Sequence, residues 1–501
     1  MSFNSLAFAA FMAVALAAYY AIPVRHRWWA LLAASVAFYA ASDPVHLPVL
    51  AALVAIAYVL GIAIERAGTR AARRALLAAG LAPLVVALAA FRGGAALGAG
   101  SAAGIAFLAA PLGLSFFTLR LAAYLVDVFR RAAPAERHAG RFSLFAALFP
   151  ELPSGPIERP AALLPQLRQP HALRYDAVVS GAQLFAWGLF KKIVVADRLR
   201  LFVAPVFDTP GAFDGAAYAV ATVLFAVQIY CDFSGYSDMA IGIGETFGLR
   251  LARNFDHPYQ AKTISEFWAR WHISFSTWLR DYIFLPLVYS TGRLLERHPG
   301  LRLPEEKTAY AAASLSTMAL CGLWHGAAWT YLAWGLTMGG FMVASVLTRR
   351  LRSRIARRVY AGRLRAARDP VRTLLTFALV CVSWIFFRAN SMGDAVRILA
   401  AIPRGIAGYA ALAWSAVATG TLTGAGLSAP FRLGQGTFDL VLVVAGLLLL
   451  GAVERYERQG SVRDAVRART AWIRWPLYIA FVLAIVIFRA PAGAGFIYAG
   501  F

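Results

Sequence analysis

Charge is what this 501-residue sequence has least of. Only 15% of its residues are Asp, Glu, Lys or Arg, where a soluble domain carries about 25%. That shortage excludes a disordered chain, a charged coiled coil and an ordinary soluble enzyme. Acids are scarcer than bases, 25 against 49, which leaves a net charge of +24. Cysteine is nearly absent. Cys231, Cys321 and Cys381 stand far apart in apolar stretches with no C-x-x-C spacing, which argues against a zinc site or a disulfide framework. Short-period repeats, lipidation signals and a large polar domain are also missing. What is abundant is apolar sequence, at 60% of residues with a mean hydropathy of +0.62. The expectation is an all-α, polytopic membrane protein.

A membrane span needs about 20 mostly apolar residues. Candidate spans lie near 5–23, 28–43, 46–64, 75–91, 105–128, 176–195, 213–231, 308–326, 328–347, 371–388, 436–452 and 472–489. Stretches near 143–156 and 405–430 are apolar but interrupted by Pro or Gly, and read as re-entrant or interfacial. The first run lacks a basic leader and reads as a span rather than a cleaved signal. Arginines cluster between spans: Arg25 and Arg27; Arg66 to Arg74; Arg130 to Arg141; ten between Arg349 and Arg372; and Arg455 to Arg474. The positive-inside rule places these loops in the cytoplasm. A net +24 in a soluble protein would suggest nucleic acid, but most of the arginines lie in loops between spans, which argues against that partner and points to an anionic lipid surface.

Thr263 to Leu287 is patterned differently. Thr263 and Glu266 form a capping box that starts a helix. Ile264, Trp268, Trp271, Phe275, Trp278 and Tyr282 make an aromatic stripe, and Glu266, Arg270, Ser274, Thr277 and Asp281 a polar one. One amphipathic helix at headgroup depth is expected. His272 lies between the stripes. It reads either as an interfacial histidine bonded to backbone or as a group that orients a substrate.

The sharpest chemical candidate is His325, in CGLWHGAAW within or between two apolar spans. An ionisable residue at that depth is costly and marks function by default. A neutral imidazole can take a proton from a hydroxyl as general base; the plain alternative is a histidine that hydrogen-bonds a neighbouring helix. Gly322 and Gly326 permit close backbone approach and leave room for a substrate beside the ring. Cys321, one turn before His325, reads either as a thioester nucleophile or as a small buried hydrophobe. In QIYCDFSGYSD, Gln228, Asp232, Ser234 and Asp238 fall at membrane depth or just beyond. Carboxylates there need cations, for which Arg253, Lys262 and Arg270 are candidates. LPSGPIERP at 152–160 is irregular backbone, tolerated at depth only when buried in protein or lining a cavity. These residues support a polar intramembrane cavity and leave an enzyme and a proton-coupled transporter both open. The absence of internal symmetry weighs against the transporter.

Several motifs in order make the chain recognisable. They are LFPELPSGPIERP at 148–160, LFKKIVVADRL at 189–199, QIYCDFSGYSDMAIGIG at 228–244 and NFDHPY at 254–259. These are followed by ISEFWARWHISFSTWLRDYIFLPL at 264–287, GLWHGAAWTYLAWGL at 322–336, SWIFFRA at 383–389 and FIY at 496–498. Along nearly its whole length the chain resembles the membrane-bound O-acyltransferase family, in its bacterial alginate O-acetyltransferase-like branch. The resemblance implies a ring of about 11–13 transmembrane helices, with re-entrant and amphipathic helices, around a central funnel. It implies a single acyltransferase domain over 1–501, with core motifs at about 110–390, in the bacterial inner membrane. It implies acyl transfer from a cytoplasmic donor, acetyl-CoA, to a hydroxyl of an extracytoplasmic polysaccharide such as alginate, directly or through an accessory periplasmic acetyltransferase, with acylation of peptidoglycan, cellulose or teichoic acid by the same chemistry as the alternative and no permanently bound cofactor. His325 in the WHG motif matches the catalytic position, and His272 in RWHIS a second functional one. Trp324, Gly326, Gln228, Asp232, Ser234, Asp238, Trp271 and Arg270 are then candidates to line the substrate cavity; no metal site is expected. Three departures bear on the acceptor: Val288 and Tyr289 after Leu287, Met338 where histidine is common, and the ending FIYAGF.

Overall fold

The computed structural model describes residues 1–97, 110–298, 304–360, 362–419 and 430–490. Among them the chain is helical throughout, with short turns and no strand. Eight helices are long and apolar enough to cross a membrane: Leu47–Arg66, Arg70–Phe91, Tyr175–Asp208, Gly215–Thr246, Trp329–Leu347, Arg365–Arg388, Met392–Thr419 and Thr437–Glu457. Leu6–Ala21 and Ala471–Ile487 are shorter apolar helices. The expected spans at 28–43, 105–128 and 308–326 appear as helices Arg27–Ser42, Leu114–Arg130 and Glu305–His325. The terminal FIY motif lies outside the described residues.

Two compact units emerge. Met1–Leu189 and Phe233–Asn254 belong to the first, and Phe190–Asp232 and Phe255–Ala494 to the second. In the first unit, Leu114–Arg130 is the buried centre, with Phe116, Phe117 and Tyr124 at most 1% exposed. Gly61 admits the Tyr124 ring where any side chain would collide with it. Helix Tyr175–Leu189 packs on the Phe233–Thr246 part of its neighbour through glycines. A Cβ on Gly181 would strike the Gly242 carbonyl, and one on Gly188 the Gly235 carbonyl. Small residues that let backbones touch are how helices associate where lipid removes the hydrophobic drive. The Pro/Gly break at 148–158 is a short 3₁₀ turn, Phe149–Glu151, followed by irregular chain with Glu151, Ser154 and Glu158 all buried. Arg120, itself fully buried, pairs with Glu151.

In the second unit, helices Glu305–His325 and Trp329–Leu347 form the most extensive packed pair. A Cβ on Gly322 would collide with the Tyr331 carbonyl, and one on Gly335 with the Met318 carbonyl. The outer helices present apolar side chains outward, Leu448, Trp472 and Ile487 among them, as a lipid-facing surface requires.

Four expectations need correction. The segment 263–287 is not one helix. Thr263 caps Ile264–Arg270 by accepting from the Glu266 N–H at 3.1 Å, but the helix stops there and a second, Ile273–Leu279, starts at His272. The cause is local, because His272 is left-handed at φ +44°, a conformation a helix cannot continue through. Nor does the aromatic stripe lie against headgroups, since Trp268, Trp271, Phe275 and Trp278 are buried in protein. The stretch at 405–430 is not broken as far as it is described: Met392–Thr419 is continuous through Pro403. Finally, helix Gly215–Thr246 runs well beyond the expected end of the span at 231, so Gln228 through Asp238 all lie within it.

Candidate active site

His325 is the last residue of helix Glu305–His325, and only Gly326, Ala327 and Ala328 separate it from the next. It is 4% exposed. Aromatic rings surround it, with Trp324 at 4.7 Å, Trp334 at 5.0 Å and Phe387 at 5.2 Å, all within 14° of perpendicular. Edge-to-face contacts of this kind fix a ring's position and keep water from it. Phe275 and Tyr331 stand farther out, both at 6.4 Å.

His272 is 2% exposed and packs on Phe275 at 5.0 Å. Phe275 stacks on Trp324 at 4.4 Å, and Trp324 reaches both imidazoles, at 6.5 Å from His272 and 4.7 Å from His325. The two histidines therefore flank one aromatic pair. Burial pushes His272 down from 6.5 to about 3, so it is neutral across the physiological range.

Each of the other expected site residues has a definite place. Trp271 connects to the same cluster through rings: Trp271 to Trp384 at 5.2 Å, Trp384 to Trp334 at 5.7 Å and stacked, and Trp334 to His325. Gly326 does not leave space for a substrate, because the Tyr331 ring occupies the place of its missing side chain. Arg270 turns away to its own surroundings, donating to Glu266 at 2.9 Å and to the Asp256 carbonyl at 3.3 Å, so it ties the NFDHPY segment to its helix. Asp232 is paired, but not by the cations expected. Its partner is Lys192, at 2.7 Å, which also holds Asp197 at 2.8 Å. Lys262 pairs instead with Asp369. Lys192 lies in a π-helical turn, Phe190–Ala196, a widened geometry common at functional positions. Gln228, one turn before Asp232, is buried with its Oε1 lacking a hydrogen-bond partner among the described residues. Ser234, buried, and Asp238, half-buried, belong to the first unit. Among the described residues no group of His, Cys, Asp and Glu is arranged to hold a metal.

Trp334, Trp384, Phe387 and Tyr331 were not singled out from sequence. All four sit inside quoted motifs, and Trp384 and Phe387 share a helix face at i, i+3. That spacing was the available signal.

Apolar helices long enough to cross a membrane, with two buried histidines set among aromatic rings, define the class: a multi-pass membrane protein with a buried histidine site. The comparisons with known proteins give the family. Residues 129–360 match the membrane-bound O-acyltransferase family, a range that includes both histidines. The chain is 35% identical over 406 residues to the probable alginate O-acetylase AlgI of Azotobacter vinelandii, covering 78% of this chain and 76% of that one. It is 32% identical over 315 residues to a peptidoglycan O-acetyltransferase of Helicobacter pylori, covering 58% and 56%. It is 28% identical over 245 residues to a teichoic acid D-alanyltransferase of Streptococcus thermophilus, covering 46% and 55%. The chain belongs to the membrane-bound O-acyltransferase family, and it is an acyltransferase.

Proposed function

We propose that the chain transfers an acetyl group from cytoplasmic acetyl-CoA to a hydroxyl of an extracytoplasmic polysaccharide such as alginate, directly or through an accessory periplasmic acetyltransferase. In this reading it resides in the bacterial inner membrane and acts as one acyltransferase domain. The observation that carries it is His325, buried at a helix break among Trp324, Trp334 and Phe387. His325 accepts the acceptor hydroxyl's proton as its oxygen attacks the thioester carbonyl. The tetrahedral intermediate collapses, the C–S bond breaks, and the departing thiolate takes that proton back from His325, which returns neutral. His272, neutral by burial, hydrogen-bonds and orients a reactant and does not itself change charge. Cys321 takes no part: it is fully buried, and the Tyr331 backbone lies against the adjacent Gly322.

Identity to the Azotobacter relative across about three quarters of both chains favours alginate as acceptor class. The Helicobacter relative supports peptidoglycan by the same chemistry. The test supplies membranes containing the protein with labelled acetyl-CoA and, separately, alginate or peptidoglycan fragments. Alkali-labile label on alginate supports the first acceptor, and label on peptidoglycan alone replaces it with the second. Label on neither, with or without added periplasmic extract, contradicts the polysaccharide reading.

A further inference from the structure

A cavity of about 420 Å³ opens in the first unit, remote in sequence from both histidines. Four arginines from separate segments converge on it: Arg25, Arg27, Arg141 and Arg168, with the rings of Tyr19 and Trp28 beside them. Among the described residues only one of the four has an acidic partner. Arg168 is bound by Glu136, at 2.6 and 3.0 Å. Arg27 is held in position without being neutralised. It donates to the backbone carbonyls of Ile22 and Tyr20, both at 3.3 Å, and to that of His171, and it lies over the Tyr20 ring at 4.9 Å. Arg25 donates to a ring nitrogen of His26 at 3.0 Å. Arg141 has its Nε buried and lacking a hydrogen-bond partner among the described residues.

Three uncompensated guanidinium groups around one cavity repel one another, and a buried donor left unmade is costly. Both penalties vanish if an anion fills the space. Guanidinium forks match the paired oxygens of a phosphate, while aromatic and leucine side chains on the same wall suit the organic part of an ester. The volume lies within the range of small-ligand sites.

We propose that this cavity is a binding site for a phosphate ester. The headgroup of an anionic phospholipid and a soluble organic phosphate share that chemistry. The positive-inside rule puts this arginine-rich rim at the cytoplasmic leaflet, where anionic headgroups are concentrated. The cavity belongs to the first unit and both histidines to the second, and the test does not require activity.

The full-length protein is purified, and retained lipid is measured by native mass spectrometry after exchange into mixed phosphatidylglycerol and phosphatidylcholine. Glycerol 3-phosphate and pantetheine 4′-phosphate are tested separately for thermal stabilisation. The double variant Arg25→Gln/Arg141→Gln removes two charges from partly solvent-accessible positions, and Arg25→Lys/Arg141→Lys keeps charge as a folding and charge control. Preferential retention of phosphatidylglycerol, reduced about tenfold or more in the Gln variant and largely kept in the Lys variant, supports the site with a lipid occupant. Stabilisation by the soluble esters, lost in the Gln variant and without lipid preference, supports the site with a soluble occupant. Equal retention of both lipids with no ester effect overturns the proposal, as does a Gln variant that behaves like the wild type.

Discussion

At the scale of single residues, His272 carries two properties that separate its conformational and chemical roles. Its backbone is left-handed, a region asparagine enters readily and alanine does not. His272→Asn is therefore expected to keep the helix break and a thermal midpoint close to wild type, yet lose about 10²-fold in acyl transfer, because the imidazole that orients a reactant is gone. His272→Ala should lose both stability and activity, as read by thermal unfolding in detergent beside a transfer assay. Burial depresses the His272 pKa from 6.5 to about 3. The unfolded state then binds the extra proton between those values, so this residue's contribution to stability is complete above about pH 6.5 and declines as pH falls toward 3. From nearly equal midpoints at pH 7, wild type should fall below His272→Asn as pH drops to 4; midpoints that stay together over that range would contradict the assignment. Cys321→Ala should keep activity within about twofold, as expected for a buried thiol acting as a small hydrophobe. Complete loss with intact folding would restore the thioester route. His325 stood out as an ionisable group in apolar surroundings, whereas His272, set between polar and aromatic stripes, was raised only by the resemblance. Their aromatic setting was not legible, since Trp334, Trp384 and Phe387 look like ordinary apolar sequence until the helices are packed.

Elements explain where sequence reading stopped. Three- and four-residue periodicity across 263–287 was real, but periodicity does not report a single left-handed residue, so one expected helix became two. The apolar stripe also fitted two environments, lipid headgroups or protein, and only tertiary packing chose protein. The pairing of Asp232 was misread for a related reason: Lys192 is 40 residues away in sequence and reaches it from a π-helical turn at 2.7 Å. Removing that cation leaves two buried carboxylates together. Lys192→Met is expected to destabilise by about 3–5 kcal/mol, seen as a lowered unfolding midpoint, and Lys192→Met/Asp232→Leu should recover part of the loss. The paired helices at 305–325 and 329–347 depend on Gly322 and Gly335. Gly335→Val drives a side chain into the Met318 carbonyl and should lower the unfolding midpoint and activity together.

On the scale of the whole molecule, composition foretold the class correctly. Few charges, many apolar residues and arginines gathered between spans led to a helical multi-pass protein, and the ordered motifs led to its family. The length of each helix was less legible, because polar residues such as Arg120 and Asp232 can be buried in protein without ending a helix. Which hydroxyl receives the acyl group was not legible, because the chain is similar to relatives named for alginate, peptidoglycan and teichoic acid alike, at 35%, 32% and 28% identity. The central claim is that His325 performs the transfer. It is tested most directly by reconstituting wild type and His325→Ala in liposomes with labelled acetyl-CoA and acceptor, with thermal unfolding measured on the same preparations. The account predicts that the variant unfolds at a temperature close to wild type while transfer falls by at least about 10²-fold. Transfer retained at the wild-type rate by a folded His325→Ala protein would contradict it.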